Sequence, residues 1–141
     1  MVQRLSTVTC PVTTHVSDLK GLSAPLSADL HYDMANPYAV RLSIGVPMER
    51  PVDWVFAREL LAEGLHRPTG DGDVVVMPWR HPHPDSVRVV LRNRSGTALV
   101  EMATAEVATF LLRTFVLVPE GAEGRHLDLN RAISELTGTG G

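Results

Sequence analysis

Between Leu26 and Val46 the chain alternates apolar and polar residues twice over, and no other feature constrains its fold as tightly. Leu26, Ala28, Leu30 and Tyr32 alternate with Ser27, Asp29, His31 and Asp33. After the turn signal Asn36-Pro37, the residues Tyr38, Val40, Leu42, Ile44 and Val46 repeat the pattern, with Arg41 and Ser43 between them. A period of two sends successive side chains to opposite faces, so each run reads as a strand with one buried face. The two runs are expected to pair as antiparallel neighbours. Upstream, the Thr- and Val-rich stretch from Leu5 to Val16 has strand composition, and Asp18 to Gly21 supplies a turn.

Downstream the period changes. Trp54, Ala57, Leu61 and Leu65 fall on one stripe with Phe56 and Leu60 beside it, which predicts a helix over about 52–63. Pro51 would sit in its first turn, and Gly64 would end it in a left-handed conformation. Arg58, Glu59, Ala62 and Glu63 would face mostly solvent. Asp71-Gly72-Asp73 leads into a short strand at Val74 to Met77, and Arg80 to Asp85, with two prolines, reads as a loop. Val87, Val89 and Leu91 form another strand, joined through the Ser95-Gly96 turn to a strand over Thr97 to Met102. A helix is expected from Thr104 to about Phe115. Pro119-Glu120-Gly121 breaks the chain, and Asp128 would cap a third helix carrying Leu129, Ala132, Ile133 and Leu136. The order of strands, helix, strands, helix, helix implies an α+β fold. Antiparallel β-sheets would carry about three packed helices, in two successive units of three strands and a helix. One domain would span 1–137, with a frayed tail at 138–141.

Composition narrows the function classes. The 141 residues suffice for a core without staples, but only 5% are aromatic, so that core must be aliphatic. Cys10 is the single cysteine, which excludes an internal disulfide and any multi-cysteine zinc site and suits a reducing, cytoplasmic setting. The segment Met1 to Val16 lacks the apolar run of a signal peptide, and no stretch reaches the ~18 apolar residues of a spanning helix. Membrane contact is expected only indirectly. Formal charge is −3, and Lys20 is the sole lysine; Arg88, Arg92 and Arg94 make the one basic concentration. Nucleic-acid binding draws much of its affinity from phosphate neutralisation, so such a partner is disfavoured.

The candidate chemistry is sparse. His81-Pro82-His83 offers two ligands where zinc needs three or four, and the other histidines lie on different elements. Asp71-Gly72-Asp73 lacks the spacing and distal Glu of a calcium loop, and Gly70 and Gly72 lead into a strand with no following Lys-Ser or Lys-Thr, unlike a phosphate cradle. Cys10 sits in a strand-type run and the serines have no nucleophile-elbow context. Glu59 and Glu63 stand one helical turn apart, as on a solvated helix face. No catalytic residue, metal ligand or cofactor is assigned. Trp54 and Phe56 are expected in the core, one of them alternatively at a subunit interface; Trp79, at a strand end, is the aromatic candidate for protein contact.

Two segments carry a family resemblance. The run Trp54-Val55-Phe56-Ala57-Arg58-Glu59-Leu60-Leu61, continuing to Pro68-Thr69-Gly70-Asp71-Gly72-Asp73-Val74, is similar to the signature of the SsgA-like proteins. Asn36-Pro37-Tyr38-Ala39-Val40 is a second match, with Asn36 where that family usually has an acidic residue. The likeness covers about Leu30 to Leu136 and is greatest to the SsgB-type branch. The resemblance implies a non-enzymatic regulator of sporulation-specific cell division in actinobacteria, with a Whirly-like fold assembled as a homotrimer. It implies recruitment to division septa, an SsgA-type positioning protein as one partner and the tubulin-like protein FtsZ as another. It transfers no catalytic motif. Gly121, after Pro119, is the candidate intolerant backbone site, since glycine tolerates positive φ. The alternative is a single-stranded nucleic-acid-binding module, resting on fold analogy alone.

Overall fold

In a computed structural model, residues 6–46, 48–80 and 85–137 are described. The expected loop residues His81-Pro82-His83 and the tail at 138–141 lie outside them. Among the described residues, seven strands form one antiparallel sheet: β1 (Thr7–Ser17), β2 (Ser23–Asp33), β3 (Ala39–Ile44), β4 (Val52–Ala57), β5 (Val74–Trp79), β6 (Ser86–Asn93) and β7 (Gly96–Ala103). Their spatial order is β4-β3-β2-β1-β7-β6-β5. Helix α1 (Arg58–Gly64) follows β4, while α2 (Thr104–Leu117) and α3 (Glu123–Thr137) follow β7.

The alternating runs pair as expected. β2 meets β3 with Leu30 opposite Leu42, and β1 meets β2 along all 11 residues of each. Their inward residues Val8, Val12, Leu30, Tyr32, Val40 and Leu42 are buried, and their outward ones are mainly Thr, Ser, Asp, His and Arg. The sheet has a narrow seam. β1 pairs with β7 only from Thr14–Met102 to Ser17–Leu99, joining a four-stranded half to a three-stranded half. The two units are thus four strands and a helix, then three strands and a helix, instead of three strands each.

Helix α2 spans the seam, packing on both β1 and β7. It buries Val107, Phe110, Leu111 and Thr114 at helical spacing, against an aliphatic core that includes Val87, Val89 and Val100. Burying side chains of this size contributes about 1.5–3 kcal/mol each, before entropy is counted. The hairpin β6–β7 turns at Arg94-Ser95, one position before the expected Ser95-Gly96; Gly96 already pairs with Asn93 at the start of β7, and at φ +144° any side chain there would be strained.

The expected helix over 52–63 is half strand. Val52 to Ala57 pairs with β3 from Val52–Ile44 to Ala57–Ala39, and only Arg58 to Gly64 is helical. The segment Val52-Asp53-Trp54-Val55-Phe56-Ala57 fits a period of two as well as one of 3.6. Its β-branched and aromatic residues, with a free edge of β3 to pair against, favour the strand. Pro51 therefore precedes a strand. Gly64 is likewise not a left-handed terminator, for it lies inside α1 without positive φ. A Cβ there would overlap Cγ1 and Cβ of Val76, so glycine is what lets α1 lie directly on β5. The outer edge of β5 is closed by Thr69, which exchanges two backbone hydrogen bonds with Val76 at 2.8 and 2.9 Å. Gly70, at φ +101°, shapes that turn. Helix α3 begins at Glu123, five positions before Asp128, so Asp128 is inside it and does not cap it.

Candidate functional site

Arg58 opens α1, immediately after Ala57 ends β4 with extended torsions. That strand-to-helix change turns its side chain inward. Although expected toward solvent, Arg58 is only 2% exposed and is the largest fully buried side chain among the described residues. Its backbone N–H donates to the Tyr38 carbonyl at 2.8 Å, tying the start of α1 to the Asn36-Pro37-Tyr38 turn.

Its guanidinium gathers the C-terminal half of the molecule. Nη1 donates to the carbonyl oxygens of Val118 at 2.8 Å and Thr114 at 3.2 Å. Both lie at the end of α2, where the helix dipole favours a cation; Val118 is the C-cap residue, and the Thr114 carbonyl also accepts from the Val118 N–H at 2.9 Å. Nη2 donates to Glu123 Oε1 at 2.7 Å, the first residue of α3. The guanidinium carbon lies 4.3 Å from the centroid of the Phe115 ring and 4.9 Å from that of Tyr32. Cation–π attraction of this kind helps compensate a desolvated charge. The Tyr32 hydroxyl donates to the Pro37 carbonyl at 2.9 Å, and burial pushes its pKa up to about 12 despite the nearby Arg58.

Gly121 joins the same cluster. It has φ +87°, and its N–H donates to Glu123 Oε2 at 3.0 Å. Burial by itself would raise the Glu123 carboxyl. The Glu123 and Gly121 backbone N–H groups and the Arg58 guanidinium outweigh that and hold it below the usual carboxylate value. Beside the cluster is an open cavity of about 320 Å³, floored by Phe115 and Tyr38 and rimmed by Glu59, Glu63 and Glu120. Glu63 is engaged by Arg67, whose Nη2 donates to it at 2.6 Å. This is a structural joint linking α1, α2 and α3. An arginine neutralised by one carboxylate and spent on helix-end carbonyls holds backbone in place.

Trp79 lies elsewhere, at the last position of β5, where it pairs with Ser86. It is half-buried, and the Arg88 guanidinium carbon sits 3.5 Å from the centroid of its ring. Arg88 also ion-pairs with Glu101 across β6–β7, so one member of the expected basic concentration is neutralised, while Arg92 and Arg94 are exposed. Gly121 lines the cavity beside the Arg58 cluster, and Trp79 does not. Phe56 is buried, as expected, and Trp54 is half-buried at the mouth of a cleft formed by the hairpin turns. Cys10 packs in the core, and Arg113 Nη1 lies 3.0 Å from its Sγ.

Arg58 and Glu123 are the residues that sequence reasoning missed. The available signal for Arg58 was the inward parity of β4 ending at Phe56, which a helical reading of the same residues concealed. Among the described residues no group of three His, Cys, Asp or Glu side chains is placed to hold a metal ion. No helix of the described residues is long and apolar enough to cross a membrane.

Comparison with known proteins places this geometry. Residues 26–123 match the family described as Streptomyces sporulation and cell division protein, SsgA. Sporulation-specific cell division protein SsgB of Streptomyces coelicolor is 44% identical over 131 residues, covering 93% of this chain and 96% of that one. SsgB of Salinispora tropica is 43% identical over 79% of this chain and 80% of its own length. A solved SsgB structure, reported with mutations that correlate to longitudinal cell division during sporulation of Streptomyces coelicolor, superposes with a TM-score of 0.81 and 43% identity. That superposition covers 89% of this chain and 99% of the other. The crystal structure of an SsgA-like sporulation-specific cell division protein from Thermobifida fusca superposes with a TM-score of 0.86 and 36% identity, over 96% and 98% of the two chains. An antiparallel sheet built on the Asn36-to-Val40 turn and the Trp54-to-Val74 connection, matched over most of its length in sequence and in structure, makes this chain a member of the SsgA family.

Proposed function

We propose that this protein is a non-enzymatic regulator of sporulation-specific cell division, an adaptor that recruits or positions the FtsZ ring at septum sites under an SsgA-type positioning protein. The observation carrying this reading is near full-length similarity to SsgB proteins named for that process. Among the described residues the most buried ionic group, Arg58, is spent on joining helices. The working surface then lies on exposed loops and on faces created by assembly, in a Whirly-like homotrimer recruited from the cytoplasm to septa. The nucleic-acid alternative gains nothing from the outward face of β2 and β3, where Arg41 is flanked by Asp29 and Asp33. Single-stranded binders present a basic groove with stacking aromatics.

Sedimentation of purified FtsZ filaments with and without the protein tests the adaptor reading, alongside septation in spores lacking the gene. Co-sedimentation or altered polymerisation, with misplaced septa on deletion, is expected. No effect on FtsZ together with normal septation overturns it.

A further inference from the structure

The sheet has two edges, and they are finished differently. β5 forms one and β4 the other. An edge strand presents a row of unpaired N–H and C=O groups, which natural sheets blunt with proline, charge, a bulge or a covering segment. The β5 edge is blunted. Thr69 takes both outward backbone groups of Val76, and Pro78, two positions on, has no N–H to offer.

The β4 edge is open, and a pair of hydrogen bonds fixes which groups it presents. The Arg58 N–H donates to the Tyr38 carbonyl at 2.8 Å, one step past the Ala57–Ala39 pair. The Gly45 N–H donates to the Ser27 carbonyl at 2.8 Å, one step past the Ala28–Ile44 pair. Pairs in an antiparallel ladder alternate between bonded and non-bonded. The first bond therefore makes Val52–Ile44, Trp54–Leu42 and Phe56–Val40 the bonded pairs of β3 and β4. The second agrees with it, turning the backbone groups of Arg41 and Ser43 toward β2. The N–H and C=O groups of Asp53, Val55 and Ala57 are left pointing away from the sheet, and among the described residues they have no hydrogen-bond partner. The register of β4 runs without a bulge, the strand holds no proline, and Val52, Asp53, Val55 and Ala57 are all exposed. Val55, at 60%, is the most open of its apolar side chains.

We propose that the β4 edge binds an extended segment of another protein, which adds to the sheet as a further strand with a lysine or arginine opposite Asp53 and apolar residues opposite Trp54 and Phe56. An unpaired ladder is matched by one chemistry, the backbone of another strand, and the side chains select which strand. On the outer face the register sets Asp29 beside Ser43 and Ser43 beside Asp53, so that row reaches the edge with acids and no base. The Asp53 carboxylate accepts from the Ser43 hydroxyl and has no ion pair among the described residues. A base in the added strand completes the row, because opposite charges in directly facing positions attract. On the core face, Trp54 is half-buried, and an apolar neighbour would cover it. A second copy of this chain fits less well. Neither of its edge strands, Val52–Ala57 or Val74–Trp79, contains a basic residue to set against Asp53. The inference stands on the edge alone and is independent of the adaptor reading.

The test is amide hydrogen exchange of the full chain by NMR, with and without the peptide acetyl-Thr-Val-Thr-Val-Lys-Val-Thr-Val-Thr-amide. Its sequence is palindromic, so it meets Asp53 with lysine in either strand direction. Bound peptide is expected to slow exchange at Asp53, Val55 and Ala57 about tenfold or more, while Trp54 and Phe56, already bonded to β3, change little. Replacing the peptide's lysine by glutamate is expected to weaken binding about fivefold. Asp53→Lys is expected to reverse that preference. Val55→Pro, which removes an outward N–H and no bond to β3, is expected to abolish the protection. Circular dichroism checks that both variants fold, and Asp53→Lys decides alone if Val55→Pro does not. No protection by the peptide, protection at Trp54 and Phe56 in place of their neighbours, equal affinity for the two peptides, or an unchanged preference in Asp53→Lys overturns the proposal. So does protection of Asp53, Val55 and Ala57 without peptide that fades on dilution, since a second copy then occupies the edge.

Discussion

A guanidinium that is 2% exposed survives in the folded state only because each part of it is compensated. Arg58 has Glu123 for its charge, the Thr114 and Val118 carbonyls for its donors and two aromatic rings near its plane. Breaking a buried pair by removing one partner leaves the other uncompensated, typically at about 3–5 kcal/mol. Arg58→Ala is expected to fall in that range by urea denaturation. Arg58→Lys is expected to recover only part of the loss, because one ammonium cannot span the end of α2 and α3 as the planar fork does. Glu123 ties this joint to pH. Its folded pKa lies below the ordinary 4.5, so its stabilisation is fully present above that value and is lost as pH falls through the lowered one. Glu123→Gln should therefore destabilise near neutrality, and its midpoint should converge on that of wild type in acid. Convergence at high pH instead would refute the assignment. Gly121→Ala isolates the backbone. Nothing lies within 4 Å of the added methyl, so strain at φ +87° alone sets the cost, about 1–2 kcal/mol in the same assay.

Among the elements, the close approach of α1 to β5 carries the sharpest test. Gly64→Ala forces a methyl into Val76, and overpacking of this kind costs about 1–3 kcal/mol. The double variant Gly64→Ala, Val76→Ala should be more stable than the two single losses added together; simple additivity would mean that the two residues do not touch. The same region shows what could be read from sequence and what could not. From Leu26 to Ile44 only one period fits, and the structure forms strands there with the expected faces. From Val52 to Leu65 two periods fit, and the strand propensity of Val52 to Ala57 does not by itself end the helical reading. The free edge of β3 does, and that is a tertiary fact. Gly121 was legible as a positive-φ glycine because Pro119 and Glu120 already break the chain. Its link to Arg58 was not, since 63 positions separate them and only the crossing of α2 over the sheet brings them together. The start of α3 was hidden by Gly124, whose weak helix propensity masks a first turn held by the Glu123 carboxylate.

For the whole molecule, the seam between β1 and β7 has a kinetic meaning. The β1–β2 hairpin closes a short loop, whereas Thr14 meets Met102 only after most of the chain has been looped out. Loop closure is an entropic cost that precedes its reward, so contacts of such long separation tend to form late. Val100, buried where β7 meets Val16, reports on that step. Val100→Ala is expected to speed unfolding far more than it slows refolding in stopped-flow urea jumps, a φ-value near zero, whereas Leu30→Ala in the β1–β2 hairpin should slow refolding as well. A φ-value near one at Val100 would place the seam in the folding nucleus. If the seam closes last, it also opens first. Partial unfolding would then divide the molecule into its four-stranded and three-stranded halves, with the face of α2 that bridges them uncovered in the same event. Proteases and chaperones would meet this protein first along that line.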